Sequence, residues 1–122
     1  MIDQIRTALG SFRPVVHDEN KLHEQIAAAF DRAGIDYERE VRIDARSRVD
    51  FVVSGSIAIE VKAAGGTGLA PWRQLLRYLE DPRFTMGVLI TVKATHQPIP
   101  HFERQDGTLI PLHKIELWKN LL

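Results

Sequence analysis

Arg48-Val49-Asp50-Phe51-Val52-Val53-Ser54-Gly55-Ser56-Ile57-Ala58-Ile59-Glu60-Val61-Lys62 sits at the middle of the chain and reads as a β-hairpin. Ser54-Gly55-Ser56 is a turn signal between two β-rich runs. With Gly55 as the pivot, Val49 faces Val61, Phe51 faces Ile59 and Val53 faces Ile57. All of these are apolar and share one face, because side chains alternate along a strand. The even positions collect on the other face. There Asp50 stands opposite Glu60, and Lys62 lies one step further along the same strand. Directly opposed residues have Cβ atoms about 4.5–5.5 Å apart, so two carboxylates and an ammonium converge. Val52 and Ala58 share that face, which is therefore not wholly solvated.

Two opposed carboxylates repel and weaken the strand pairing. A divalent cation between them turns repulsion into attraction, and Mg²⁺ prefers carboxylate oxygens together with waters or phosphates. Lys62 is then placed to position or activate a water or to bind a phosphate oxygen. This is equipment for metal-assisted hydrolysis of a phosphodiester. The competing reading is an ordinary hairpin with a charged, ion-paired face.

Outward from the hairpin, composition narrows the field. The chain has 122 residues, a length that fits one domain. It has no cysteine, which removes disulfide scaffolds, thiolate metal sites and cysteine nucleophiles. Sixteen basic residues cancel sixteen acidic ones, so a nucleic-acid partner must be met by a local patch. No apolar run approaches the roughly 20 residues of a membrane span. The N-terminus carries an acid at Asp3 and no apolar stretch behind it, unlike a secretory signal. The expectation is a cytoplasmic protein without a membrane partner.

A short amphipathic helix is expected over 2–9, ended by Gly10, Ser11 and Pro14. A longer one runs over 18–33, with Asp18 as N-cap, Gly34 as stop and Leu22, Ile26, Ala29, Phe30 and Ala33 as its apolar stripe. Strands follow over 37–43, 48–53 and 57–63, then a loop with glycines 65, 66 and 68. A second helix fits 71–81, with Pro71 in its first turn and Trp72, Leu75, Leu76 and Leu79 on one face. Residues 84–93 hold a near-continuous apolar run, expected to be a strand buried on both faces. Pro98 and Pro100 break the chain, and 108–118 suit a last strand that becomes a short helix or tail. Mixed strands and helices predict a sheet with helices packed on its faces.

Asp50 followed by Glu60-Val61-Lys62 resembles the motif of the PD-(D/E)XK nuclease superfamily, with Val49 where that family usually has proline. The element order agrees. The resemblance implies an α/β, restriction-endonuclease-like core: a central mixed sheet, made of an antiparallel meander plus a further strand, flanked by helices in the order αβββαβ. It covers about residues 17–95 of a single domain spanning 1–122, with a short N-terminal helix in 1–10 and a C-terminal extension at 98–122. Gln74-Leu75-Leu76-Arg77-Tyr78 is similar to the Gln-x-x-x-Tyr element of RecB-like nucleases, although its distance from Lys62 is shorter than in many of them. Gln74 and Tyr78 lie at i and i+4, away from the apolar stripe.

The resemblance further implies that Asp50 and Glu60 hold Mg²⁺ or Mn²⁺, with a backbone carbonyl from Val61. Family members often add a glutamate from the first helix. Glu19, three residues before Leu22 as in archaeal Holliday-junction resolvases, is the favoured third acid. Glu24 or a histidine is the alternative. His17 and His23 are read as surface residues, although RecB-like enzymes can use a helix histidine as a ligand. Lys62 would position or activate the attacking water, and Gln74 would orient it or the substrate. Arg48, Arg73, Arg77 and Tyr78 are the candidates for nucleic-acid contact. Trp72 is read as core, with base stacking as the alternative, and Arg39 and Arg42 as either paired or contacting.

The expected activity is metal-dependent hydrolysis of DNA, RNA not excluded, in a phage, repair, recombination or defence setting. A small chain of this kind can enlarge its footprint as a homodimer. The alternative is an inactive, nuclease-like module that binds nucleic acid or protein.

Overall fold

The computed structural model describes residues 1–63, 69–92 and 98–122. The glycines at 65, 66 and 68, and His96, lie outside these. Helices α1 (Ile2–Leu9) and α2 (Glu19–Ala33) precede strands β1 (Tyr37–Asp44), β2 (Ser47–Val53) and β3 (Ile57–Lys62). A 3-10 turn (Ala70–Trp72) leads into α3 (Arg73–Tyr78), then β4 (Met86–Thr91), β5 (His101–Glu103), β6 (Leu109–Glu116) and a closing 3-10 turn (Leu117–Leu121). Among the described residues no helix is long and apolar enough to cross a membrane.

Local chemistry accounts for most boundaries. The Asp18 carboxylate accepts the Lys21 N–H at 3.1 Å, a side-chain N-cap, and Gly34 ends α2 in the left-handed conformation. Within α2 the core takes Ala27 in place of the expected Ala33, which is exposed as the last residue of the helix. The β2–β3 turn has positive φ at Ser54 and Gly55, 52° and 72°, and is closed by the Ser56 N–H donating to the Val53 carbonyl. The helix expected over 71–81 divides: Pro71 opens a 3-10 turn, and only Arg73–Tyr78 is α-helical.

The strands form one mixed sheet in the order β1-β2-β3-β4-β6-β5. The first three are an antiparallel meander. β4 runs parallel to both β3 and β6, and its middle is buried on both faces, as its apolar run predicts. Gly87 in β4 has a packing reason. A Cβ there would come within 2.8 Å of Leu79 and 2.9 Å of Leu112, so its absence lets the end of α3 settle onto the sheet. β5, a three-residue edge strand behind Pro98 and Pro100, was not anticipated. It pairs with β6, so the C-terminal segment joins the sheet.

One face of the sheet packs on α1 and α2 through Leu22, Ile26, Phe30, Phe51, Ile59 and Val61. The other packs on α3 through Val52, Ala58, Trp72, Leu75, Leu79 and Leu112. Val49 joins this second cluster rather than the face of Phe51, contrary to strict alternation. The cause lies opposite it. Pairing of β1 with β2 runs through Arg39↔Phe51 and Val41↔Val49 but leaves out Glu40 and Asp50, and Glu40 has φ +50°. A left-handed residue in mid-strand interrupts the pleat, and Asp50 sits at that interruption.

Candidate active site

Asp50 and Glu60 do meet, though not as a regular cross-strand pair. The β2–β3 ladder runs from Val53↔Ile57 to Phe51↔Ile59 and goes no further. Beyond it the Asp50 carboxylate stands in for a backbone acceptor: its Oδ2 takes the Val61 N–H at 2.8 Å. This ties the acid of β2 to the residue between Glu60 and Lys62. Asp50 remains 24% exposed, so solvent reaches it.

Glu60 is only 2% exposed. Burial first, and then the hydrogen-bonding and charge of Asp50, push its pKa up to about 9, against a smaller opposing pull from Lys62. At neutral pH without a counter-charge the pair therefore keeps a proton. Glu60 Oε1 is buried without a hydrogen-bond partner. An orphaned carboxylate oxygen beside a second carboxylate is a donor set that fits a hard divalent cation. Ion binding would satisfy that oxygen and favour the ionised carboxylates against burial and mutual repulsion.

On the β3 side, Lys62 donates from Nζ to Gln74 Oε1 at 3.1 Å. The Gln-x-x-x-Tyr element thus holds the ammonium through its glutamine. Its tyrosine departs from expectation. Tyr78 is 1% exposed, its hydroxyl donating to the Arg48 carbonyl at 2.6 Å with Glu60 Oε2 3.5 Å away. Burial and then the Glu60 charge raise its pKa to about 12. Tyr78 is therefore a supporting residue under the acids rather than a nucleic-acid contact. One helical turn past Gln74 carries it from the rim to beneath the sheet, a depth that helical azimuth does not encode. Trp72 is fully buried as well, which removes base stacking as its role.

From the other face, α2 delivers His23. Its side chain is 13% exposed, it lies against the Phe51 ring, and Nε2 stands 4.0 Å from Asp50 Oδ2. Nε2 is buried without a hydrogen-bond partner. Glu19 is 57% exposed and reaches only as far as His23, at 3.7 Å. It sits on the solvent side of the histidine. Glu24 is drawn away by Arg39 at 3.0 Å, and His17 is exposed. His23 is thus the α2 side chain that reaches Asp50, where the sequence favoured Glu19. The available signal was its place directly after Leu22 on the stripe, which turns it toward the edge of the buried face. Among the described residues no three His, Asp or Glu side chains are already gathered as an ion site. The fit rests on the carboxylate pair and the two orphaned atoms.

Of the basic candidates, Arg73 and Arg77 line a cleft with Lys62 and Gln74. Arg48 contributes its carbonyl to Tyr78 and leaves its side chain exposed. Arg39 is engaged with Glu24 and the Phe51 ring, and Arg42 with the Ala45 carbonyl. A further arginine gave no sequence signal. Arg104 donates to the carbonyls of Leu79, Asp81 and Phe84, fastening the end of α3.

No curated protein and no solved structure matches the chain. The family model of the PD-(D/E)XK nuclease superfamily matches residues 17–104. That span holds α2, the meander, α3, β4 and β5, and so every residue of the cluster. With its Asp and Glu-x-Lys brought together on β2 and β3 and most of its length matched, the chain belongs to the PD-(D/E)XK nuclease superfamily.

Proposed function

We propose that the protein is a divalent-metal-dependent nuclease that hydrolyses phosphodiester bonds of DNA. The observation that carries this reading is Glu60: a buried carboxyl with an orphaned oxygen, pressed against Asp50, and followed two residues later by a lysine that Gln74 holds in place. As structure alone this arrangement is costly, and a bound cation offsets the cost.

Asp50 and Glu60 would hold the ion, with the Val61 carbonyl beside them. Bound there, Mg²⁺ or Mn²⁺ would neutralise the acids and polarise a phosphate oxygen. Lys62 donates hydrogen bonds toward the attacking water and the phosphate, its direction fixed by Gln74. Attack at phosphorus breaks the bond to the 3′ oxygen, which leaves with a proton, giving a 5′-phosphate and a 3′-hydroxyl. Glu19 or His23 completes the ligand set from α2. With Glu19 the set is all oxygen and suits Mg²⁺. With His23 an imidazole enters, which shifts preference toward Mn²⁺ and later first-row ions. Arg48, Arg73 and Arg77 would neutralise phosphates, so binding should weaken steeply with salt.

The test incubates the protein with supercoiled, linear, single-stranded and branched DNA, and with RNA, in Mg²⁺, Mn²⁺ or EDTA. Metal-dependent cutting of DNA by wild type, lost in Asp50→Ala and Lys62→Ala, is the expected result. Cutting of RNA alone would move the substrate. No cutting with any ion would leave a nuclease-like binding module.

A further inference from the structure

The cleft that contains Lys62 continues along α3 beyond what hydrolysis requires. Arg73, Gln74, Leu76 and Arg77 form its helical wall, Glu80 lies at its far end, and Phe102 of β5 closes the other side. From Arg73 to Arg77 the helix rises about 6 Å, and Glu80 follows just past its end. Arg73 and Arg77 are both exposed and sit one turn apart on the same side of α3. Phe102 and Leu76 are each only partly buried against the core below. The floor near Lys62 is thus basic, and the distal part offers an aromatic ring beside an aliphatic side chain. Glu80 sets an acidic limit to the basic stretch.

Positive charge that follows a backbone, combined with an aromatic surface for bases, is the chemistry of unpaired nucleic acid. Duplex bases are stacked on one another and cannot reach a ring in a cleft wall. Glu60, moreover, is buried and Asp50 is recessed. A flexible strand can lower its phosphate to those acids more readily than a rigid double helix.

We infer that the Lys62–Phe102 cleft is a single-strand track, in which Arg73 and Arg77 hold phosphates next to the scissile one and Phe102 stacks an unpaired base. This rests on the nuclease reading for the position of the scissile phosphate, and it makes a free strand or flap the preferred substrate. An acidic peptide is the other chemistry that basic and aromatic groups accept. It enters the test as a competitor.

The experiment measures anisotropy of a fluorescent oligothymidylate and of a labelled duplex of equal length, in EDTA so that nothing is cut. Wild type should bind the single strand about tenfold or more tightly than the duplex at low salt. Phe102→Leu keeps an apolar side chain against the core but removes the ring. It should lose roughly tenfold on the single strand and little on the duplex, and Phe102→Tyr should restore binding. Arg73→Ala with Arg77→Ala should weaken both and reduce the salt dependence. Equal affinity for the two forms, an unaffected Phe102→Leu whose melt matches wild type, or displacement of the oligonucleotide by an acidic peptide at equal concentration would overturn the track. Ring-dependent binding with no cleavage in Mn²⁺ would keep the track and defeat the nuclease reading. Metal-dependent cleavage by a protein whose single-strand binding and single-strand cutting are both unchanged in Phe102→Leu would do the reverse.

Discussion

At the turn end of the β2–β3 hairpin, Val53 pairs with Ile57 and Phe51 with Ile59, all four side chains buried in one core and the backbone paired strand to strand. At the open end the same two strands part. Asp50 replaces a backbone acceptor for the Val61 N–H, and Glu60 keeps an oxygen without a partner. The turn end is arranged for stability. The open end gives up regular pairing and places two acids and an amine where water reaches Asp50 and Lys62 but not Glu60. A strand that parts from its neighbour frees backbone and side-chain groups for a ligand, which a fully paired strand cannot do.

The contrast is tested most severely at Lys62. Lys62→Ala should lower cleavage by about 10²–10⁴-fold while the melting curve stays near that of wild type. A large loss of stability instead would mean that the open end is structural too. At the other end, Phe51→Ala removes a ring that contacts Phe30, Tyr37 and His23. It should cost about 3–5 kcal/mol, read from the denaturation midpoint.

A third prediction follows from protons. Glu60 titrates near 9 in the folded protein against an ordinary value of 4.5. Between those values the folded state holds a proton that the unfolded chain has released. Metal-free stability should therefore be highest below about pH 4.5 as far as this group is concerned, and fall as pH rises toward 9. The slope is at most about 1.4 kcal/mol per pH unit. Urea melts at a series of pH values in EDTA measure it. Glu60→Gln should flatten the profile, and Mn²⁺ should stabilise wild type most at high pH. A wild-type profile already flat would remove the electrostatic distinction between the two ends.

The smallest effect is expected at Tyr78. Tyr78→Phe deletes the hydrogen bond to the Arg48 carbonyl and should cost about 1–3 kcal/mol. Cleavage should drop only modestly, with metal affinity retained by calorimetry. A loss as deep as that of Lys62→Ala would turn a supporting residue into a participant.

Much of this was legible in the chain. Alternation from Phe51 to Val61 placed the hairpin, its register and its turn, because a period of two is local and one face was apolar. Asp18 and Gly34 marked α2 for the same reason: caps act within a few residues. That Asp50, Glu60 and Lys62 lie close together followed from alternation about the turn, whereas the break in pairing that sets Asp50 on the Val61 N–H did not. Val49 and Tyr78 were misplaced because each depends on something distant in sequence. A left-handed Glu40 on the neighbouring strand turns Val49 over, and the seat of α3 above Gly87 sets how deep Tyr78 lies.

The amino-acid order determined which residues alternate, which cap, and which acids share a strand face, since those are matters of short-range geometry. Only the packing of α2 and α3 from opposite sides decided that His23 rather than Glu19 stands next to Asp50, that Glu60 is sealed from water, and that Phe102 faces the same cleft as Lys62. Depth and approach between elements arise from how whole surfaces fit, and no local period records them.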